Sequence, residues 1–215
     1  MKSSGAEKQR VSVMLLGDSD GLKYPPTVVY KLGESKLQAT KKSNWAKYNG
    51  FSKEMHESLS FEANKYNIDV YANGCGWFTE AVVLKWLKRH FAINTTEKKL
   101  LLLDDFNAHK TEQVKRLATR LNVELMYIPP GLKSCSQPAD LSWNGPLKAH
   151  LRSLWHQHMT HHCRSGGVDM RRMRFGSSRS LQDKKFCHLC TLSMDSAQQE
   201  DHRLWIQQSW ILWQT

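Results

Sequence analysis

The sequence has no long hydrophobic run. No stretch of its 215 residues approaches the roughly 18 uninterrupted apolar residues that a membrane span needs. Residues 1–10 also lack the apolar core of a signal peptide. We therefore expect a soluble intracellular protein with no membrane partner.

Cysteine is scarce, and its pattern is irregular. The chain holds five cysteines, an odd number that does not indicate a disulfide framework and agrees with a reducing compartment. Cys187 and Cys190 have the spacing of a zinc knuckle, and His161–Cys163 lies upstream. A His-rich helix end followed by a loop gives this spacing by chance, which is the interpretation that we favour.

Acidic residues are few relative to basic ones. The chain has 31 Lys and Arg against 20 Asp and Glu, a net charge of +11. A basic surface attracts polyanions, and nucleic acid is the commonest one inside cells, because neutralised phosphates release counterions. A basic protein-interaction domain, in which the charge serves solubility, is the alternative.

The first half of the chain predicts strands and turns. Residues 10–16 are β-rich and end at a turn-prone run, and 27–31 supplies a second strand. Residues 32–66 are polar and mixed, which predicts a long loop or insertion. Ile68–Tyr71 is predicted to be a short strand. At 40% hydrophobic content, one domain with a sizeable core is expected.

The second half alternates strands with helices. Glu80–Phe91 and residues 110–121 have helical spacing. Lys99–Leu103 is a continuous apolar run, which predicts a strand buried on both faces, and Val123–Ile128 predicts its parallel partner. From Pro138 to about His158 the pattern is again helical. Three strands, a helix, then strand-helix-strand-helix is the order of an RNase H-like α/β fold.

Two aspartates occupy positions typical of a metal site. Asp104 ends the apolar strand, and Asp140 opens a helix 36 positions later. Hard cations such as Mg²⁺ or Mn²⁺ prefer oxygen ligands, and two-metal phosphoryl chemistry holds its ions about 4 Å apart with carboxylates. An acid that only caps the turn is the alternative for Asp104.

The motifs around these aspartates resemble one family. Leu100–Asp104 with His109, Pro129–Asp140 and Gly145–Trp155 together resemble the DDE superfamily endonuclease domain of pogo- and Tigger-type transposases. The same domain occurs in derived proteins such as centromere protein B and the jerky proteins. The resemblance predicts a DDE endonuclease-like domain over residues 9–158, a basic loop-rich linker over 159–197 and a C-terminal helical segment over 198–215.

The resemblance implies Mg²⁺-dependent DNA strand cleavage or transfer. It makes Asp104 and Asp140 the second and third catalytic acids and metal ligands. It places His109 beside the metal, where it would support a ligand or contact a phosphate; a solvent-facing histidine at a helix cap is the alternative. Asp105 is expected to be a neighbour rather than a ligand.

The family's first aspartate has no counterpart in this sequence. It belongs to a strand upstream of the Arg10 strand, in an Asp-Glu-Thr-like context, and only nine residues precede Arg10. We therefore expect a truncated domain that lacks its first strand, leaves two flanking strands without a hydrogen-bonding partner and is catalytically incomplete. Asp18 and Asp20 are predicted to be turn formers. The family's N-terminal helix-turn-helix modules are absent as well.

Basic residues beyond the metal site are candidates for DNA binding. Lys148 and Arg152 lie one helical turn apart, and Arg171, Arg172 and Arg174 lie in the basic linker. Three functions stay open: nucleic-acid binding by an incomplete nuclease domain, an active endonuclease whose first aspartate lies upstream, and a protein-interaction domain that does not bind DNA. A nuclear location is expected.

Overall fold

The protein is a mixed α/β structure. The computed structural model describes residues 10–92, 98–131, 139–164 and 206–213. No helix in these ranges is long and apolar enough to cross a membrane. In chain order the elements are β1 (Arg10–Gly17), β2 (Thr27–Lys31), α1 (Gln38–Tyr48), α2 (Lys53–Lys65), β3 (Asp69–Asn73), α3 (Glu80–Phe91), β4 (Lys99–Leu103), a 3-10 turn (Asn107–His109), α4 (Glu112–Arg120), β5 (Val123–Tyr127), a π-helical turn (Ala139–Trp143), α5 (Asn144–Arg164) and β6 (Ile206–Trp213).

The six strands form one mixed sheet in the order β3-β2-β1-β6-β4-β5. β1 is antiparallel to β2 and to β6, whereas β2 with β3, β4 with β5 and β4 with β6 are parallel pairs. All strands except β1 therefore point the same way. Their carboxyl ends meet along one side of the sheet, which we call the carboxyl edge.

Alternating side chains of β1 supply both faces of the core. Met14 and Leu16 pack into the cluster beneath α3 and α4, and Val13 and Leu15 pack into the cluster beneath α2 and α5. All four side chains are buried. The period of two along a strand explains this division, since successive side chains point to opposite faces. Helices therefore cover both sides of the sheet at β1.

The helical spacing of residues 80–91 is confirmed in α3. Its buried residues lie on one side, with Glu80 in the first turn and basic residues in the last turn, where each charge complements the helix dipole. The helix after β4 is also confirmed, and Thr111 caps it by accepting a hydrogen bond from the backbone N–H of Val114. β4 and β5 form the predicted parallel pair around α4.

The loop predicted for residues 32–66 is wrong, because this stretch forms α1 and α2. α1 buries no residue, and α2 buries only Leu59 and Ala63. Helices with so little buried surface carry no apolar stripe, which is the signal that sequence reasoning uses. Ser52 gave a local clue, since its side chain caps α2 at the N–H of Met55.

The prediction that β4 is buried on both faces is also wrong. Leu101 and Leu103 are buried, but Leu100 is 43% exposed, and Met126 on β5, the partner of Leu102, is 49% exposed. The apolar run therefore reflects one fully covered face and one face that the described residues leave partly open.

The C-terminal helix predicted for residues 198–215 is wrong where the structure describes this segment. Residues 206–213 form β6, whose eight residues pair along all of β1, while Ile206 pairs with Leu102 of β4. β1 and β4 therefore have a strand between them, against the expectation of two flanking strands without a partner. Pairing with β1 and β4 determines that this segment is a strand, because β structure depends on tertiary context. The linker boundary at residue 159 is wrong as well, since α5 continues to Arg164.

Candidate active site

Asp104 lies at the carboxyl edge, directly after β4. The residue is 6% exposed, so its carboxylate is almost inaccessible to water. In sheets with parallel strands, ligand sites form outside the carboxyl ends of the strands. A buried carboxylate at this position needs polar partners, because burial of an unpaired charge is costly.

His109 provides one such partner. Its Nδ1 lies 2.8 Å from Oδ1 of Asp104, and the imidazole is fully buried. This contact is an ion pair when the imidazole is protonated. Phe106 packs edge-on against the imidazole at 5.5 Å, and the hydroxyl of Tyr127 donates to the carbonyl of His109. Asp104 and Phe106 thus contact the imidazole, and Tyr127 fixes the backbone of His109.

Burial bears on the interpretations of His109. The residue is fully buried, which is not the environment of a solvent-facing histidine at a helix cap. Its role beside a metal stays a prediction. The Nε2 atom of His109 is buried and has no hydrogen-bond partner among the described residues. Burial also raises the pKa of the nearby Tyr127 phenol.

Asp105 has a different partner. Its carboxylate forms an ion pair with Lys110, in the turn that follows β4. This pairing agrees with its predicted role as a neighbour of the site rather than a ligand. Asp104 is therefore the residue of this turn that points to metal chemistry.

Asp140 belongs to the π-helical turn that precedes α5. Its side chain lies outside what the structure describes, so its proximity to Asp104 stays a prediction. The turn itself is anchored on the sheet, because a Cβ at Gly17 would lie 2.7 Å from Cη2 of Trp143. Only a glycine lets the indole approach β1 this closely.

A divalent ion such as Mg²⁺ or Mn²⁺ fits these residues only in part. Asp104 is a hard oxygen donor of the right kind. Within residues 10–92, 98–131, 139–164 and 206–213 there is no group of three or more His, Cys, Asp or Glu that could hold an ion. The described side chains therefore do not complete a two-metal site.

Asp18 is a turn former, as predicted. Its Oδ1 accepts hydrogen bonds from the backbone N–H groups of Asp20 and Leu22 at 3.0 and 2.9 Å, and its Oδ2 accepts one from the hydroxyl of Tyr24. Both oxygens thus serve the turn after β1. Burial, and next the hydrogen bond to Asp18, raise the pKa of Tyr24 to about 12.

The structure describes part of the predicted basic surface. On α5, Lys148 is half-buried and Arg152 is exposed. Arg171, Arg172 and Arg174 lie outside the described residues. So do Cys187 and Cys190, as well as the side chains of His161–Cys163, so the zinc interpretation stays a prediction.

Sequence reasoning missed a cleft of about 620 Å³ between α1 and the turn after β3. Its lining includes Lys41, Lys42, Trp45, Gly74 and Cys75. The available signal was the density of lysine in a stretch without apolar periodicity. That pattern also fits a solvated loop, so the signal was ambiguous.

The comparisons with known proteins identify one family. The sequence model of a family described as "DDE superfamily endonuclease" matches residues 8–177. A mouse protein named "Pogo transposable element with KRAB domain" is 25% identical over 161 residues, and its human counterpart is 24% identical. Each alignment covers 72% of this chain and 22% of the relative, so the chain spans about a fifth of their length. No solved structure matches.

Proposed function

Because this chain belongs to the DDE superfamily endonuclease family, we propose that it binds DNA through its basic surface. In this proposal it is a transposase-derived domain of the pogo and Tigger type that acts in the nucleus. The observation that carries the proposal is a buried carboxylate, Asp104, at the carboxyl edge of a chain with a net charge of +11. DNA, which is a polyanion and a substrate of the family, fits both the positive charge and the buried carboxylate.

The proposed fold is RNase H-like. The order of strands and helices supports this, with α1 and α2 as an addition between β2 and β3. In the proposed site Asp104 and Asp140 hold Mg²⁺ or Mn²⁺, and His109 positions Asp104. The described residues supply one such carboxylate at the edge, so we propose that the domain by itself is catalytically incomplete.

Salt-dependent DNA binding tests the proposal. The affinity for a short fluorescent duplex would be measured by anisotropy over a series of salt concentrations. Phosphate contacts make the logarithm of the affinity fall linearly with the logarithm of salt, by about 0.9 for each phosphate neutralised. No binding at low salt would contradict the proposal. Salt-insensitive association with a protein would instead favour a protein-interaction domain.

A metal-dependent endonuclease is the second candidate. The observation that favours it is the way in which His109, Phe106 and Tyr127 fix the surroundings of Asp104, as a metal ligand requires. In this case another segment supplies the remaining carboxylate. Cleavage of supercoiled plasmid with Mn²⁺, abolished by Asp104→Asn, would establish this candidate. We expect no cleavage by the chain alone.

A further inference from the structure

The stretch around α1 is strongly and one-sidedly basic. Residues 31–53 contain six lysines and one acid, Glu34, and all six lysines are exposed. We call this the α1 basic surface; its lysines are Lys31, Lys36, Lys41, Lys42, Lys47 and Lys53. The acid pairs with Lys41, and Glu54, directly after the stretch, interacts with Lys53. Lys31, Lys36, Lys42 and Lys47 have no opposing carboxylate within this stretch.

Core packing does not explain this composition. α1 has no buried residue. The Nζ of Lys85 on α3 holds the helix, because it donates to the carbonyl of Trp45 and to Oδ1 of Asn49 and lies 4.5 Å from the centre of the Trp45 ring. Partial burial lowers the pKa of Lys85. Trp45 also packs against Tyr71 and the core cluster beneath α3 and α4, so the helix is docked through this side while its lysines are exposed.

The α1 basic surface is linked to Asp104 along the carboxyl edge. The cleft beside α1 is lined by Gly74 and Cys75, in the turn after β3. Two residues further on, Trp77 stacks on Phe106 with their ring centres 6.4 Å apart. Phe106 in turn contacts His109, which holds Asp104. The turns after β3 and β4 therefore contact each other, and together they form a continuous part of the carboxyl edge.

We infer that the α1 basic surface binds the backbone phosphates of DNA and aligns the strand along the carboxyl edge toward Asp104. Exposed lysines act as point charges for phosphates and carry no base specificity. The inference rests on the proposed DNA binding. It places the phosphate contacts on α1, in addition to the basic residues of α5 and beyond.

A charge-matched pair of variants tests the inference. The first variant carries Lys36→Gln, Lys42→Gln and Lys47→Gln in the α1 basic surface. The control carries Lys88→Gln, Arg116→Gln and Arg120→Gln, which remove three exposed charges from α3 and α4. Both variants lose the same net charge, so a difference between them reports position. Circular dichroism and thermal unfolding of the full chain show whether each variant is folded.

We expect the α1 variant to bind duplex DNA at least about tenfold more weakly at low salt, with a salt slope smaller by about 2 to 3. The control variant should change the affinity and the salt slope much less. Equal losses in the two variants would overturn the inference and leave DNA binding intact, whereas failure of the unaltered protein to bind would overturn the proposed function. Loss of binding only to phosphatidylserine vesicles would assign the surface to a membrane instead.

Discussion

Two turns of this protein each bury an aspartate at the end of a strand, and they use it differently. After β1, both carboxylate oxygens of Asp18 accept hydrogen bonds within its own turn, from two backbone N–H groups and from the tyrosine hydroxyl. After β4, Asp104 meets the side chain of His109, which comes from the next turn. Asp18 therefore stabilises its own turn, whereas Asp104 contacts the side chain of a residue that follows it in the chain.

The turn after β4 also has backbone hydrogen bonds of its own. The N–H groups of His109 and Lys110 bond to the carbonyls of Phe106 and Asn107 and close the 3-10 turn. The acid that precedes this turn, unlike Asp18, contacts a histidine side chain.

Asp18→Ala should have the largest effect on stability. It removes the acceptor of two backbone N–H groups and one hydroxyl, so we expect a loss of about 2 to 4 kcal/mol in the free energy of unfolding. Urea denaturation measures the loss. Asp104→Ala, made in parallel, should cost clearly less, and equal losses would contradict the distinction between the two turns.

His109→Ala should come next. It removes a fully buried ring and its 2.8 Å contact with Asp104, for an expected loss of about 2 kcal/mol. Asp104→Ala combined with His109→Ala should cost less than the sum of the single changes, since the first change already removes the shared contact. Additive losses in such a double-mutant cycle would mean that the pair is not coupled.

Tyr24→Phe should have a smaller, pH-dependent effect. The pKa of Tyr24 is raised to about 12 in the folded protein from the ordinary value of 10.0. The stability that this shift contributes is fully present below about pH 10 and is lost as the pH rises toward 12. The variant should cost about 1 kcal/mol at neutral pH. Unfolding measured at several alkaline pH values should show a weaker decline in the variant than in the unaltered protein.

Asp104→Ala should have the smallest effect on DNA binding. Removal of a carboxylate from the carboxyl edge lowers the repulsion of phosphates, so affinity should stay unchanged or rise slightly. Anisotropy with the same duplex provides the measurement, and Asp104→Asn serves as the variant of equal shape. Clearly weaker binding by a folded variant would show that Asp104 contributes to DNA binding in another way.

The parts that sequence predicted well are those with a strong local period. α3, β4, α4 and β5 follow from runs of apolar residues at helical or strand spacing, and the turn role of Asp18 follows from its Gly- and Asp-rich context. Only the resemblance indicated that His109 lies close to the site of Asp104. The geometry of this contact could not follow from spacing, because the 3-10 turn that brings the ring back is set by packing on Phe106 and Tyr127.

The parts that sequence missed lack a local period. α1 is docked by Lys85, which lies far along the chain, and nothing within α1 itself signals this contact. β6 was assigned to a helix because Leu204, Trp205, Gln208, Ile211 and Leu212 fit helical spacing. Its strand form depends on β1 and β4, which are distant in sequence, so only the assembled sheet decides it.

The position of β6 also affects the time course of folding. The middle of the sheet pairs residues 10–17 with residues 206–213, so the earliest described strand is completed by the last one. Closing so long a loop is entropically unfavourable and slows folding. During synthesis on a ribosome, β1 and β4 emerge before the strand that separates them. A nascent chain therefore presents the unpaired edge of β1 until residues 206–213 arrive, which exposes this stage to aggregation and to chaperones.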